Sequence, residues 1–363
     1  MSGVKAVGLV SAAGLSSRMG MFKPFLDVDG KPLIVRTVES LLDGGAEKVI
    51  VVTGRNSEQV AKVLSIYPQV QTVYNEHYAE TAMYDSIRLG MQQINDCDVI
   101  LFLPADVPAV RPETIRHLLQ CWEKNRPDVL YPVYQGRQWH PPLIAGRLLP
   151  ALTGYNGENG LKGALQSLCS SSETVLVPDR GCTMDTDYVE DYQNLCRYWS
   201  VRDIPDDEGC DVLYKLAGTP DEVQSHCRMV AEKAIDLAGI MEQQGVMLNR
   251  DLLYRAALLH DVCRTEKNHA EAGADFLKSY GFYRIADIVQ VHMEWPDDKP
   301  LQLDEAAVLY LADKLISGKQ DVSLAQRFAE KLERYHNQPE IAEKIKKRQR
   351  TALAIQNMIA AKL

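Results

Sequence analysis

Residues 4–23 read VKAVGLVSAAGLSSRMGMFK, and this stretch decides the fold of the first half of the chain. Val4 to Val10 is short and rich in valine, and it ends at a loop of small residues. The pattern predicts a buried first strand that brings the loop to the edge of a sheet. Ligands of open α/β sheets bind beyond the carboxyl ends of the strands, so we expect chemistry in the loop after Val10.

Strand and helix patterns alternate along the rest of this half. Pro32 to Leu42 has helical periodicity and stops at a Gly-Gly pair, while Lys48 to Thr53 and Asp98 to Leu103 are further β-rich runs. The alternation predicts right-handed crossovers and a mostly parallel sheet with helices on both faces. We therefore expect a Rossmann-like α/β domain over residues 1–200.

The loop after the first strand has a composition that suits a triphosphate. Small residues let backbone N–H groups approach phosphate oxygens, hydroxyls add donors, and two basic side chains can hold a polyanion and its departing pyrophosphate. By itself, such a composition is equally compatible with a solvated loop that binds nothing and with a phosphate-binding loop. Our predicted nucleotide contacts here are Ala12, Ala13, Gly14, Ser16, Ser17, Arg18 and Lys23, the last two also serving catalysis.

The whole string over residues 12–23, Ala-Ala-Gly-x-Ser-x-Arg-Met-Gly-x-x-Lys, is far more specific. It resembles the signature of the MobA-like nucleotidyltransferases of molybdenum-cofactor maturation, especially their cytidylyltransferase branch. The resemblance continues at residues 103–108 (LPADVP), at residues 136–141 (GRQWHP) and at residues 184–191 (MDTDYVED). His140, inside the second of these segments, is either a contact to the acceptor or a turn residue before two prolines.

The resemblance implies a magnesium site in this half of the chain. Mg²⁺ would be held by Asp106, which is then also catalytic, and by Asp185 or Asp187, while Arg18 and Lys23 contact the phosphates. Such a site is chemically reasonable, because Mg²⁺ prefers one or two carboxylates together with phosphate oxygens and waters. For whichever of Asp185 and Asp187 is not a ligand, a cap or turn before the next helix is the other interpretation.

The segment from Asn75 to Ser86 departs from the resemblance. The molybdenum-cofactor enzymes usually carry glycines near the base pocket, whereas this chain has Thr81 and Met83 there. We expect Asn75 and Ser86 to contact the nucleotide, and the departure leaves the base and the acceptor open. Trp139 likewise replaces the usual small residue before the His-Pro pair.

Strand patterns end after Tyr198, and the second half reads as all-α. Residues 201–218 are acidic and contain Pro205 and Gly209, so we interpret them as a linker. Residues 219–325 form a helical domain in this interpretation, and residues 326–363 a charged helical extension. Leu324, Phe328 and Leu332 have helical spacing and are expected to dock on the bundle, whereas the basic run over 344–350 is expected to be a solvated helix face.

Most of these predicted helices carry one or two histidines or aspartates that could bind a metal ion. Ligands on facing helices can converge in the core of a bundle, and this mixture suits Mn, Fe, Co, Ni, Zn or Mg. A bound ion would acidify water and polarise a phosphoryl oxygen. The predicted ligands are His226, His260, Asp261, His269, His292 and Asp313.

These residues resemble the ligands of the HD-domain metal-dependent phosphohydrolases, over roughly residues 219–317. The core match is Ala-Ala-Leu-Leu-His-Asp-Val over residues 256–262, and Ala-Asp-Lys over 312–314 matches the last ligand. The resemblance implies that His226, His260, Asp261 and Asp313 bind one ion, with His260 and Asp261 catalytic. His269 and His292 resemble the extra ligands of two-metal members, and they are either ligands or supporting groups.

Composition excludes several other functions. The 363-residue chain has a net charge of −9, which argues against nucleic acid as a partner. Its eight cysteines form no C-x-x-C pair, and it has neither a signal-peptide pattern nor a membrane-spanning run, so we expect a cytoplasmic protein without membrane partners.

Together these patterns predict a bifunctional enzyme. Its first half would transfer a nucleotide, from CTP by preference, to a small phosphorylated acceptor such as molybdopterin. A sugar phosphate, phosphonate or phospho-alcohol acceptor is the alternative, with the helical half either a hydrolase or a nucleotide sensor. The sequence leaves open whether the protein forms a homo-oligomer.

Overall fold

A computed structural model of the chain describes residues 3–14 and 19–361. It divides into two compact units, residues 1–202 and residues 203–363. The buried apolar residues form clusters that each lie within one unit. Among the described residues, none of the helices combines the length and the apolar character needed to cross a membrane.

The first unit is an α/β structure. Its strands are β1 (Ala6–Ala12), β2 (Asp27–Val28), β3 (Lys31–Pro32), β4 (Lys48–Thr53), β5 (Val70–Tyr74), β6 (Val99–Pro104), β7 (Val129–Tyr134), β8 (Arg137–Gln138), β9 (Leu143–Ala145) and β10 (Ser172–Leu176). Its helices are α1 (Leu33–Asp43), α2 (Ser57–Leu64), α3 (Met83–Met91), α4 (Pro112–Asn125), α5 (Leu149–Gly154), α6 (Gly160–Leu168) and α7 (Val189–Trp199).

One eight-stranded sheet organises this unit, in the order β10-β7-β9-β6-β1-β4-β5, with β8 paired to β7. The β9 strand runs antiparallel to both of its neighbours and β8 runs antiparallel to β7, while the other pairings in the sheet are parallel. The predicted mostly parallel sheet is therefore confirmed.

The two faces of the sheet are covered by different helices, because side chains alternate along each buried strand. Val7 and Leu9 of β1 lie in an apolar core with α3, α5 and α6. Ala6 and Val10 of the same strand lie in a second core with α1, α2 and α4. Helices on both faces, as predicted, leave the carboxyl edge of the parallel strands open for a site.

The second unit is helical. It comprises α8 (Asp207–Ala217), α9 (Asp221–Gln243), α10 (Arg250–Leu259), α11 (His269–Ser279), α12 (Tyr283–Gln290), α13 (Glu305–Leu315), α14 (Leu324–Arg334) and α15 (Pro339–Ala360). A small hairpin of β11 (Ile316–Ser317) and β12 (Gln320–Asp321) follows α13. As expected from their spacing, Leu324 and Phe328 are buried in the core of this unit.

The segment that we interpreted as a linker, residues 201–218, differs from that prediction, since most of it forms α8. The Asp206 side chain caps the helix by accepting a hydrogen bond from the Gly209 N–H, and Gly218 ends it with a φ of 63°. Cys210, Leu213 and Tyr214 lie in the core of the second unit. Burial of this apolar stripe outweighs the loop-like composition that suggested a linker.

Candidate functional sites

The predicted phosphate loop leaves β1 at the carboxyl edge of the sheet. Ala12 ends the strand, Ala13 is buried, and Gly14 is exposed with open space where a side chain would be. A ligand could therefore approach the backbone closely at this glycine. Ser16, Ser17 and Arg18 lie outside the described residues.

Lys23 joins two of the predicted magnesium ligands. Its ammonium lies 2.7 Å from Asp187 Oδ1 and 3.4 Å from Asp106 Oδ2. Asp106 follows the end of β6 by two residues, and its backbone carbonyl accepts a hydrogen bond from the Thr186 hydroxyl at 3.3 Å. The two segments predicted to hold the ion therefore meet at the edge of the sheet.

Asp185 belongs to the same acidic cluster. Its pKa is raised above the usual value, first by burial and then by the negative charges of Asp187 and Asp106. Crowded carboxylates of this kind gain stability from a cation placed among them. The residues present therefore fit a divalent ion, because Asp185 is close enough to Asp106 and Asp187 to feel their negative charges and Lys23 contacts the latter two.

Asn75 and Ser86, predicted to contact the nucleotide, are buried and bonded to each other. The Asn75 amide donates to the Ser86 hydroxyl at 3.0 Å and to Thr81 Oγ1 at 3.1 Å. Its carbonyl oxygen accepts the backbone N–H of His77 at 3.0 Å. These bonds give both residues a role in holding the turn between β5 and α3.

A cavity of about 470 Å³ lies beside Asp185. His140 and Asp185 both line it, and the Nδ1 atom of His140 is buried without a hydrogen-bond partner among the described residues. Burial lowers the pKa of His140, so its imidazole is neutral at pH 7 and can still exchange a hydrogen bond with a ligand. Further lining residues that the sequence did not single out are Phe102, Tyr131, Leu161 and Lys162.

In the second unit, the predicted ligands come from five places along the chain. His226 lies on α9, His260 and Asp261 follow α10 directly, and His269 opens α11. Asp313 lies on α13. His292 lies two residues beyond α12, which ends at Gln290.

All six side chains come together around Asp261 and Asp313. The distances from Asp261 Oδ1 are 3.2 Å to His269 Nε2 and 3.4 Å to His292 Nε2. Asp313 Oδ1 lies 3.3 Å from His226 Nε2 and 3.7 Å from His260 Nε2. His260 Nε2 is also 3.7 Å from Asp261 Oδ2, so one connected cluster forms.

Two groups in this cluster have the spacing of a metal site. Ligand atoms of His226, His260 and Asp261 lie within 4.8 Å of one another, and so do those of Asp261, His269 and His292. Asp261 belongs to both groups. The arrangement thus offers two adjacent ion positions with a shared carboxylate, which suits either one ion or two.

Hydrogen bonds to backbone carbonyls orient two of these histidines. His260 Nδ1 bonds the Ala257 carbonyl at 2.7 Å, and His292 Nδ1 bonds the Val289 carbonyl at 2.7 Å. Because a carbonyl only accepts, each Nδ1 must carry a proton, and each Nε2 is the ring nitrogen left to bind an ion. Both Nε2 atoms are buried without a hydrogen-bond partner among residues 3–14 and 19–361, which is the condition of a metal ligand.

The electrostatics of the cluster favour positive charge. Burial opposes ionisation of Asp261, yet the charge of His260 and the close contacts with His269 and His292 hold its pKa far below the usual value. Burial also opposes a charge on His260, but Cys227 and Asp261 raise its pKa well above normal. Burial lowers the pKa of His292 to about 4 and keeps this ring neutral. The His/Asp cluster therefore fits a divalent metal ion.

A cavity of about 370 Å³ opens onto these ligands. His226, Asp261 and Asp313 line it, which makes the candidate ion positions accessible to a ligand. Its basic lining residues were not singled out from the sequence, although the spacing of two of them on α14 was a usable signal. They are Arg264, Lys314, Arg327, Lys331 and Arg348.

Comparison with known proteins assigns both units. The family model described as MobA-like NTP transferase domain matches residues 8–174, and the one described as HD domain matches residues 223–318. A solved structure, a nucleotidyl transferase from Methanothermobacter thermautotrophicus, aligns over 55% of this chain and 99% of its own, with 22% identity and a TM-score of 0.48.

Curated relatives match parts of the chain. Bifunctional protein GlmU of Legionella pneumophila is 30% identical over 33% of this chain and 26% of its own length. The 2-aminoethylphosphonate cytidylyltransferase of Lancefieldella rimae is 30% identical over 27% of this chain and 44% of its own. The probable molybdenum cofactor guanylyltransferase of Bacillus mycoides is 28% identical over 39% of this chain and 67% of its own.

The chain thus spans about a quarter of the length of GlmU, the relative named first, and a larger share of the two others. Taken with the sheet and the buried His/Asp cluster, the matches identify residues 8–174 as a MobA-like NTP transferase domain and residues 223–318 as an HD domain.

Proposed function

We propose that the chain is a bifunctional enzyme, a magnesium-dependent nucleotidyltransferase joined to a metal-dependent phosphohydrolase. The observation that carries the proposal is convergence within each unit. In the first unit Lys23 contacts Asp187 at 2.7 Å and Asp106 at 3.4 Å, and in the second unit the six predicted ligands share one cluster.

In the transferase reaction, an oxygen of the acceptor phosphate forms a bond to the nucleotide α-phosphorus. The bond from that phosphorus to the pyrophosphate breaks, and pyrophosphate leaves with its electron pair. Arg18 and Lys23 would neutralise the phosphates, while Asp106 with Asp185 or Asp187 would hold Mg²⁺ against them. Positioning and charge neutralisation supply most of the rate in such transfers.

Our preferred substrates are CTP and molybdopterin. The cavity beside Asp185 supports this acceptor, because Phe102, Tyr131 and Trp139 offer flat apolar surfaces and Lys162 offers a charge for a phosphate. A ring system with a phosphate arm has that combination of properties. The similarity to a probable molybdenum cofactor guanylyltransferase supports the acceptor, but that protein's name points to a different base.

A smaller acceptor is the second candidate for the transferase. The similarity to a 2-aminoethylphosphonate cytidylyltransferase favours a phosphonate and keeps cytidine as the base. Sugar phosphates and phospho-alcohols belong to the same class of acceptor. These compounds would leave the aromatic part of the cavity of about 470 Å³ largely unused, which is why we place them second.

The hydrolase would use the HD cluster to hold one or two divalent ions. Such an ion supplies a Lewis acid for a phosphoryl oxygen and acidifies water. The carbonyl partners of His260 and His292 fix the directions of their Nε2 atoms, and Asp261 is kept ionised by the histidines around it. The regulatory alternative is that the same pocket binds a nucleotide without turnover and controls the transferase.

A screen of donors against acceptors with the full chain tests this proposal. Release of pyrophosphate would be followed for each of the four ribonucleoside triphosphates with molybdopterin, 2-aminoethylphosphonate and a sugar phosphate. We expect release only with Mg²⁺ and fastest with CTP and molybdopterin. Faster release with the phosphonate would replace molybdopterin by the second candidate, and no release in any combination would contradict the transferase.

A further inference from the structure

We infer that the C-terminal segment beyond the HD match builds an anion subsite in the HD pocket, so that this site selects substrates carrying two phosphate groups. The inference rests on the proposed hydrolase and names its substrate class. The residues that carry it are Arg327 and Lys331 of α14. Both lie past residue 318, where the HD family match ends.

Helix α14 is packed so that these two cations face the pocket. Leu324 and Phe328 are buried in the core of the unit and fix one side of the helix. Arg327 and Lys331 both line the cavity of about 370 Å³ that contains His226, Asp261 and Asp313. They therefore share one space with the candidate metal ligands.

Arg327 and Lys331 are one turn apart, a spacing at which like charges repel in a helix. Neither forms an ion pair within the described part of the chain, although the other cations of the pocket do. Arg264 lies 3.6 Å from Asp261, Lys314 lies 3.1 Å from Asp313, and Arg348 pairs with Glu294. Two positive charges thus remain uncompensated in a partly enclosed pocket.

The Arg327 side chain has a donor left over. One of its terminal nitrogens donates to the Ile316 carbonyl, which anchors the guanidinium near the hairpin after α13. Its Nε atom is buried without a hydrogen-bond partner among the residues that the structure describes. A buried, fixed and unused N–H donor on a cation suits a phosphate oxygen.

The environment of Lys331 agrees with an anion subsite. Burial, followed by the positive charge of Arg327, lowers the pKa of Lys331 to about 8. Holding this ammonium beside other cations is unfavourable unless a negative charge is supplied. A bound phosphate would relieve that repulsion.

The geometry separates two tasks inside one pocket. The His/Asp cluster would take the phosphate group that reacts, as in the proposed hydrolase, while Arg327 and Lys331 would take a second phosphate of the same molecule. A cavity of this size holds a small ligand, and pockets of about 300–1,000 Å³ are typical for such molecules. Diphosphates and bisphosphorylated metabolites both have the required chemistry.

The test compares three forms of the full chain: wild type, Arg327→Gln with Lys331→Gln, and Arg334→Gln. Arg334 is an exposed cation on the same helix outside the pocket and serves as the matched control. Metal content is measured first. Hydrolysis of 4-nitrophenyl phosphate is then measured alone and in the presence of methylenediphosphonate or methylphosphonate.

We expect the double variant to keep its metal and to hydrolyse 4-nitrophenyl phosphate within about threefold of wild type, since that probe has one phosphate. Inhibition by methylenediphosphonate should weaken by about tenfold or more, because charge-assisted hydrogen bonds are lost, and inhibition by methylphosphonate should hardly change. The Arg334→Gln control should match wild type with both inhibitors.

Unchanged inhibition by methylenediphosphonate in an otherwise active double variant would overturn the inference and leave the hydrolase standing. An equal loss for both inhibitors would overturn the two-phosphate selectivity. If wild type hydrolyses nothing, the proposed hydrolase fails, and calorimetric titration of methylenediphosphonate decides the subsite instead. The transferase domain is identical in all three proteins, so a difference between them in affinity for methylenediphosphonate arises in the HD pocket. We expect the double variant to bind it about tenfold more weakly than wild type, and equal affinity would reject the subsite.

Discussion

Asp261 is the central residue of the proposed metal site, because it belongs to both candidate ion positions. Three of its histidine neighbours reach it from different elements of the fold. These neighbours offset the burial of the carboxylate and keep it ionised. Removing a single histidine should therefore weaken the whole cluster rather than one contact.

His260→Ala should reduce the metal content of the purified protein. His260 is fully buried, and the bond from its Nδ1 to the Ala257 carbonyl directs its Nε2 into the cluster, so its removal takes one ligand atom from the site. We expect the affinity for the divalent ion to fall by more than the roughly tenfold to hundredfold that loss of an outer-shell partner typically costs. Elemental analysis after dialysis against a metal buffer measures the loss, with His260→Gln as the variant that retains more of the side-chain volume.

His336→Ala is the control for that measurement, since His336 is an exposed histidine whose Nδ1 bonds the carbonyl of Glu333. It should bind metal as wild type does. Unchanged metal content in both His260 variants would remove His260 from the ligand set.

A second residue, Asp128, should govern the pH dependence of stability in the first unit. Its carboxylate accepts hydrogen bonds from Ser170 N and Oγ at 2.7 Å and from Ser171 N at 3.1 Å, and it pairs with Arg147 at 2.8 Å. Burial would raise the pKa of Asp128, but these contacts, those of Ser170 first, lower it to about 2.

Because this pKa is lower in the folded state, Asp128 stabilises the protein above the unfolded pKa of about 3.9 and loses that effect as the pH falls through 2. Asp128→Asn should lower the free energy of unfolding by about 2 kcal/mol at pH 7 and by roughly half as much at pH 3. Calorimetric melting at both pH values checks this. An equal deficit at both would mean that the ionised carboxylate is not the cause.

At the scale of elements, the packing of α3 on the sheet depends on Gly90. A Cβ at this position would lie 2.5 Å from Leu9 Cδ1 of β1 and 2.6 Å from Val52 Cγ2 of β4. Gly90→Ala should therefore destabilise the first unit by about 1–3 kcal/mol, although alanine is the better helix former.

Gly239→Ala provides the comparison for that prediction. Gly239 lies inside α9 with open space around it, so the same change should stabilise the second unit by roughly 0.5–1 kcal/mol. Thermal unfolding of both variants gives the two signs. A stabilised Gly90→Ala protein would show that α3 can shift on the sheet without penalty.

Periodicity predicts the elements of this chain well where it is strong. The β4 strand has the bounds expected from its valine-rich run, and the α10 helix leads into His260 as its apolar pattern indicates. The α8 helix was missed because Pro205 and Gly209 suggested a loop. Its signals were present nonetheless, in the Asp206 cap and in the apolar spacing of Cys210 and Tyr214.

The candidate sites also contain residues that local sequence patterns identify and features that they do not. Local motifs single out Asp106, His260 and Asp261, because their neighbours in sequence are distinctive. The sharing of Asp261 between two histidine groups depends on how five segments pack, which no local pattern encodes. Arg348 illustrates the limit, since the basic run that contains it was interpreted as a solvated face and yet this side chain lines the HD pocket.

At the scale of the whole molecule, the two units have separate cores, and each should fold alone. The buried apolar clusters of the first end at Tyr198, and that of the second begins at Cys210. Fragments over residues 1–202 and 203–363 should each give a cooperative melting transition close to one of those of the full chain. A fragment that stays unfolded on its own would show that its unit requires the other.

Separate units should also carry separate reactions, and a crossed pair of substitutions tests this central claim most directly. Pyrophosphate release with CTP and the best acceptor, and phosphate release from 4-nitrophenyl phosphate, would be measured on Asp106→Ala and on His260→Ala in the full chain. We expect Asp106→Ala to abolish only the first activity and His260→Ala only the second. Loss of both activities in either variant, or of neither in both, would contradict two independent phosphate chemistries in one chain.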